Sequence, residues 1–119
     1  MKKYMLTFFG GNMALRYDNL DKAEKGAREE HLAAWGAWMA ELVKANHLEI
    51  GYPLESGGKR IDSDGTQDYH FPDTTEGGFI VIKAESLGHA AEIAQSSPII
   101  KNNGYILVRP CGEMKTVGG

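Results

Sequence analysis

The sequence has little of several features that mark particular classes of protein. It contains one cysteine, Cys111, so no internal disulfide can form and a reducing compartment such as the cytoplasm is favoured. Its formal net charge of -3 gives no basic field for nucleic acid. No apolar run approaches the roughly 20 residues that span a bilayer. The sequence therefore predicts a cytoplasmic protein that binds neither nucleic acid nor membranes.

Spacings typical of metal and nucleotide sites are also missing. The sequence has four histidines, at positions 31, 47, 70 and 89, whereas zinc sites usually place paired ligands within a few residues of one another. No glycine fingerprint for a nucleotide is present. We therefore expect neither a structural metal nor a cofactor.

What the chain does contain is typical of one globular domain. Its 119 residues are 42% hydrophobic and 24% charged, which is enough for one hydrophobic core and too little for two. We therefore treat residues 1–119 as a single domain.

Hydrophobic periodicity predicts an α+β fold. The expected elements are a strand at residues 4–9, a helix at 21–46, strands at 48–54 and 59–61 forming a hairpin, a strand at 79–82, a helix that begins after Ser86 and ends before Pro98, and a strand at 105–108. Asn19 or Asp21 can cap the start of the first helix, Asn46 can end it in a left-handed turn, and Ser86 can cap the second helix. Residues 62–78 are polar and are expected to form a surface loop. This order predicts a ferredoxin-like βαββαβ fold with an antiparallel sheet and both helices on one face.

The predicted strands also carry information about assembly. Residues 4–9, 79–82 and 105–108 are apolar at successive positions, so both faces of the sheet are apolar, although two helices can cover only one. An uncovered apolar sheet face would expose a larger apolar patch than a soluble monomer usually tolerates. We therefore expect a homodimer in which the sheets of two copies pack together as a dimeric α+β barrel.

His31 is the most informative candidate for a functional site. At helical spacing it shares a face with Trp35, Trp38 and Leu42, so its imidazole should point inward, where burial or a carboxylate can tune it for proton transfer. The alternative is a structural histidine bonded to a backbone carbonyl. Arg28, one turn earlier, could hold an anionic ligand or pair with a helix glutamate.

A second group of candidates lies in the polar segment before the third predicted strand. Asp68, Tyr69, His70 and Asp73 combine carboxylates, an aromatic ring and an imidazole within six residues, a mixture that often lines sites on loops. One aspartate could orient His31, or both could bond local backbone in a solvated turn. Tyr52, in the second strand, completes the candidates for ligand binding.

Several stretches along nearly the whole chain resemble the YCII-related domain family, in particular its branch described by an Asp-Gly-Pro-Phe loop. They are the opening Lys-Tyr-Met-Leu strand, Trp35-Gly-Ala-Trp38, Leu48-Glu-Ile-Gly51-Tyr-Pro-Leu54, Gly77-Gly78-Phe79, Ser86 with Ala90-Ala-Glu-Ile-Ala94, Pro98 and Val108-Arg109-Pro110. In the signature loop, Tyr69 and His70 replace the glycine and proline. The resemblance implies a ferredoxin-like fold that assembles as a dimeric α+β barrel.

The resemblance also implies a histidine in the first helix, which His31 matches, and an aspartate just before the proline that follows the second helix. This chain has Ser97 there. The acid must therefore come from elsewhere, such as Asp68 or Asp73, or the pair is absent. Most members of this branch have no assigned activity, and some are similar to domains attached to sigma-type transcription factors.

These observations leave three hypotheses about function. The first is a small-molecule site between the sheet and the first helix, at which His31 transfers a proton in a lyase- or isomerase-type reaction while Asp68 or Asp73 orients it. The second is a non-catalytic binding module connected with transcription regulation. The third, a cofactor-free oxygenase, rests on fold analogy alone.

Overall fold

The structure of the protein is a computed structural model that describes residues 1–10 and 22–114. Its elements are, in chain order, β1 (Lys2–Phe9), α1 (Lys22–Lys44), β2 (Leu48–Pro53), β3 (Gly57–Asp62), β4 (Gly65–His70), β5 (Gly78–Ala84), α2 (Leu87–Gln95), α3 (Pro98–Lys101) and β6 (Tyr105–Pro110). No helix within these described ranges is long and apolar enough to cross a membrane.

Four of the strands form one antiparallel sheet in the order β2-β5-β1-β6. β1 is central and pairs antiparallel with both β5 and β6, and β2 pairs with the outer side of β5. This order, with α1 and α2 as the crossover helices, is the ferredoxin-like arrangement. The predicted α+β fold is confirmed.

The core lies between this sheet and the two longer helices. Alternate side chains of β1 and β5 point to one face of the sheet and are buried there, as the period of two in a strand requires. The buried cluster combines Tyr4, Leu6, Phe8, Ile80, Ile82 and Ala84 of the sheet with Trp38 and Leu42 of α1 and Ala90 and Ala94 of α2. The helices therefore cover one face only.

The opposite face of the sheet is also apolar. Thr7 lies opposite Phe79 on one side and Leu107 on the other, and Met5 lies opposite Val81. Leu107 is 49% exposed, although it stands in the middle of a strand. The molecule is only 19 Å across its smallest dimension, as expected for one sheet and one helical layer. The predicted two-sided apolar sheet is therefore present.

The ends of the helices follow the local signals in the sequence. Asn46 adopts a left-handed conformation with φ of 60° and the His47 N–H donates to the Leu42 carbonyl at 2.8 Å, which satisfies the open carbonyls at the end of α1. Ser86 caps α2 by accepting a hydrogen bond from the His89 N–H. Both predicted caps are confirmed, whereas those suggested for the start of the first helix, Asn19 and Asp21, lie outside the described residues.

Two expectations about the middle of the chain are wrong. β3 pairs with β4 in a separate two-stranded sheet, so the strands at 48–54 and 59–61 do not form a hairpin, and residues 62–78 are not one loop. The turn between β3 and β4 explains the difference. Asp62 Oδ1 accepts from the Asp64 N–H at 2.9 Å and Gly65 has φ of 126°. Asp-Gly is a strong hairpin signal, and here it outweighs the polar composition.

Candidate functional site

An open cleft of about 1310 Å³ lies between α1 and the β2–β5 side of the sheet. Arg28, His31 and Trp35 line it from α1, and Phe8 and Ile80 line it from the helix-covered face of the sheet. Residues 53–57, 71–72 and 75–78 form much of the remaining wall. Most of these walls are apolar or aromatic, with a few polar groups, which is the usual composition of a small-molecule site.

His31 reaches this cleft because of its place on α1. Trp35, Trp38 and Leu42 follow it at intervals of four, three and four residues, so all four share one helical face. Trp38 and Leu42 are buried under the sheet, whereas His31, nearer the start of the helix, is only half-buried. The imidazole thus lies where the core ends and the cleft begins, as its spacing predicted.

Each nitrogen of the His31 ring has a partner within the chain. Trp35 Nε1 donates a hydrogen bond to His31 Nε2 at 2.8 Å, and the Asn102 side-chain amide lies 3.1 Å from His31 Nδ1. Asn102 is the C-terminal cap of α3. Beyond this amide is a smaller cavity of about 300 Å³, which Glu30 and Lys101 also line. His31 therefore separates two cavities and is tethered on both sides.

These contacts keep His31 uncharged. Burial lowers the pKa of His31 from its ordinary value of 6.5, because an imidazolium loses hydration there. An indole N–H can only donate, so its bond to Nε2 exists only while that nitrogen carries no proton. The side chain is therefore neutral at pH 7, and it can accept a proton or a hydrogen bond.

The lowered pKa predicts how stability depends on pH. A depressed folded-state pKa means that the unfolded chain binds this proton more readily, so the stability that His31 contributes is complete above about pH 6.5 and is lost as the pH falls through the folded-state pKa. Urea unfolding at several pH values between 7.5 and 5 should show a larger loss of stability for the wild type than for His31→Gln. The other histidines are common to both proteins, and equal slopes would contradict the account.

Of the other predicted ligand-binding residues, two lie in the cleft and two do not line it. Arg28 is half-buried in its wall. Tyr52 also lines it, but Tyr52 is 60% exposed and pairs with Phe79 on the face of the sheet that the helices leave uncovered. Tyr69 and His70 are exposed on β4. The Tyr69 ring packs edge-on against the Phe71 ring with centroids 4.9 Å apart, and Phe71 does line the cleft. Tyr69 therefore contacts a residue that lines the cleft but does not line the cleft itself.

Neither predicted acid lines the cleft. Asp68 Oδ1 pairs with Lys59 Nζ at 2.6 Å across the exposed β3–β4 hairpin. Asp73 is exposed in the turn after β4. The half-buried carboxyl group of this segment that does line the cleft is that of Glu76.

Sequence reasoning missed the two partners of His31. The bond from Trp35 had a signal in the sequence, because a donor four residues after a histidine is within reach on a helix. Asn102 is 71 residues away in the chain and gave no signal, because only the packing of α3 beside α1 brings it there. Among the described residues, no group of three or more His, Cys, Asp or Glu side chains could hold a metal ion.

Comparison with known proteins finds a matching family model and a solved structure with a similar fold. The model of the YCII-related domain matches residues 10–115, and no curated protein sequence matches the chain. Among solved structures, the chain is similar to 5-chloro-2-hydroxyhydroquinone dehydrochlorinase (TftG) from Burkholderia phenoliruptrix AC1100, in complex with 2,5-dihydroxybenzoquinone. The TM-score is 0.58 at 18% identity, and the match covers 94% of this chain and 95% of that chain.

Proposed function

We propose that this chain, which belongs to the YCII-related domain family, binds a small planar organic molecule in the cleft beside His31 and transfers a proton on it. The reaction class that fits is a lyase or isomerase. One observation carries the proposal: a half-buried neutral imidazole stands in the wall of an aromatic cleft of ligand size. Such a group can remove a proton from a bound ligand and return it.

The cleft walls support a flat ligand. Trp35 of α1 and Phe71 of the segment after β4 line the cleft with aromatic side chains, and aromatic faces stack favourably on planar rings. Arg28 supplies a fixed positive charge that can bind an oxygen anion on the ligand. The structurally similar dehydrochlorinase, bound to a dihydroxybenzoquinone, is one protein of this fold that holds such a compound.

An acid partner for His31 would require a rearrangement. Asp68 lies on the exposed hairpin and Asp73 in the turn that follows it, and Asp68 is engaged by Lys59. For either aspartate to orient His31, the segment that carries it would have to move towards α1. We keep this role as part of the proposal for a ligand-bound state, in which closing of a loop over the cleft would also exclude water.

The proposed active form is a homodimer. The sheet face that carries Met5, Val81 and Leu107 is apolar and half-exposed, and a second copy offers the same surface for pairing around a two-fold axis. His31 and α1 lie on the other face of the sheet, so each protomer would keep its own His31, whereas Tyr52 and Phe79 share the paired face and would lie at or beside the interface. The dimer would then serve stability and place two sites in one molecule.

A non-catalytic binding module is the second candidate, and one observation favours it. Both nitrogens of His31 are already engaged by Trp35 and Asn102, so the imidazole must release a partner before it can exchange a proton with a ligand. If the ligand leaves both bonds intact, the cleft binds without chemistry. Family members similar to domains of transcription factors would fit this function.

A titration tests the binding site that both candidates share. We expect 2,5-dihydroxybenzoquinone, or a related hydroxylated quinone or phenol, to bind saturably in isothermal calorimetry. Phe71→Ala and Arg28→Leu should each weaken binding by about tenfold, since an aromatic contact or a charged hydrogen bond contributes about 1–2 kcal/mol. Val43→Ala, an exposed apolar position outside the cleft, is the control. Equal affinity in all four proteins would place the ligand elsewhere.

A further inference from the structure

The two partners of His31 impose different constraints on its proton. A neutral imidazole carries one N–H and one lone pair. The indole of Trp35 can only donate, and its Nε1 lies 2.8 Å from His31 Nε2. Nε2 must therefore hold the lone pair, and the single proton of the ring must be on Nδ1.

Asn102 can meet this requirement because an amide offers both an acceptor and donors. With its Nδ2 towards both His31 Nδ1 and the Pro98 carbonyl, each at 3.1 Å, the imidazole would face two donors and could satisfy only one. Turning the amide by 180° puts Oδ1 against the Nδ1–H of His31. The turn gives up the bond to Pro98 and would bring two oxygens close together there, so the side chain must also shift away from the Pro98 carbonyl to make the bond that fits the tautomer set by Trp35.

The indole of Trp35 is held firmly enough to determine which nitrogen of His31 carries the proton. Its ring contacts Phe8 edge-on with centroids 4.8 Å apart and Trp38 edge-on at 5.5 Å, so its Nε1 is aimed by packing on two sides. The amide of Asn102 can rotate about its last side-chain bond, whereas the indole cannot exchange a donor for an acceptor. The packed donor therefore fixes the tautomer, and the amide adjusts to it.

We infer that Trp35 and Asn102 are positioning residues that hold His31 as the neutral Nδ1–H tautomer, with the basic Nε2 beside the cleft. Asn102 thereby takes the place of the acid partner that the sequence lacks before Pro98, but without a charge to stabilise an imidazolium. This assignment concerns the chain without ligand, and only its consequence for turnover rests on the proposed function.

If the proposed function holds, His31 must lose its hydrogen bond from Trp35 before it can act as a base on a ligand. A ligand proton can move to Nε2 only when the Trp35 N–H leaves it. The imidazolium that forms keeps its Nδ1–H on the Asn102 oxygen, and the same proton then returns from Nε2 to the ligand or to the leaving group.

Charged groups around His31 come from several elements. Arg28 and Glu30 lie on α1, Lys101 on α3, and Glu55 and Glu76 in the walls of the cleft. They are present in every variant compared below, so changes between variants report the two positioning residues.

Nitrogen NMR of His31 tests the inference without any ligand. Long-range ¹H–¹⁵N spectra of the wild type at pH 7.5 should show a protonated Nδ1 and an unprotonated Nε2. Trp35→Phe should shift the tautomer towards Nε2–H and raise the pKa of His31. Asn102→Asp should keep the Nδ1–H tautomer and raise that pKa by at least about one pH unit, since an opposite charge in contact favours the cation.

Leu42→Val is the control, because it also trims a buried side chain of α1 but removes no hydrogen bond from His31. It should leave the tautomer and the pKa of His31 unchanged. A wild-type spectrum with the proton on Nε2 would overturn the inference, and so would equal effects of Trp35→Phe and Leu42→Val. A failure to bind quinones would count against the proposed function only, since these spectra need no ligand.

Discussion

Leu107→Asp should convert the proposed dimer into monomers. Leu107 lies on the apolar sheet face, in the edge strand β6 and opposite Thr7, and it is 49% exposed in the single chain, so the fold of one protomer does not depend on its burial. In a symmetric dimer the substitution introduces two carboxylates into an apolar interface. Burying an unpaired charge costs several kcal/mol, and we therefore expect the dimer to weaken by at least about a hundredfold.

Sedimentation velocity at micromolar concentration measures this effect. Val43→Asp is the control, because Val43 is a similarly exposed aliphatic residue, at 62%, on α1 and away from the sheet face. It should remain dimeric, and circular dichroism should show that both variants are folded. A wild type that sediments as a monomer, or a Leu107→Asp protein that stays dimeric, would refute the proposed interface.

His31→Gln should reduce turnover of any substrate by about 10²–10⁴-fold, the usual contribution of a general acid or base. Glutamine can still hydrogen-bond to Trp35 and Asn102, so the cleft should keep its shape, but it cannot take up a proton. Substrate affinity should therefore change little while kcat falls. Initial rates and calorimetric binding, measured on the same preparations, separate the two quantities.

His47→Gln is the matched control for that experiment. His47 lies at the end of α1, where its ring contacts the Lys83 carbonyl at 2.9 Å, and it does not line the cleft. It should keep full activity. Unchanged turnover in His31→Gln would exclude His31 as the base, and binding that persists without any turnover in the wild type would favour the non-catalytic module.

Much of the fold could be predicted from local patterns. The strands β1, β5 and β6 are short apolar runs between turn residues, and Ser86 and Asn46 are helix-capping residues at the positions where capping is needed. The β3–β4 hairpin was missed because its strands are polar on both faces, so periodicity carried no signal. The signal that the sequence does carry is Asp64-Gly65, a pair typical of hairpin turns.

The candidate site was only partly predictable. His31 and Arg28 follow from helical spacing, because a helix determines which side chains share a face. The contact between His31 and Asn102 depends on how α3 packs beside α1, and nothing within either segment specifies it. Composition favours an acid from the polar segment around Asp68 and Asp73, whereas the described partners of the imidazole are an indole on its own helix and an amide at the end of α3.

The central claim is that the cleft beside His31 is where a ligand binds. The most direct measurement follows the indole N–H resonances of Trp35 and Trp38 during the quinone titration. Trp35 lines the cleft and bonds to His31, whereas Trp38 is 7% exposed in the core and bonds to Ser96. We predict that the Trp35 resonance shifts to saturation while that of Trp38 hardly moves. A Trp35 resonance that stays unchanged while calorimetry shows the ligand bound would contradict the claim.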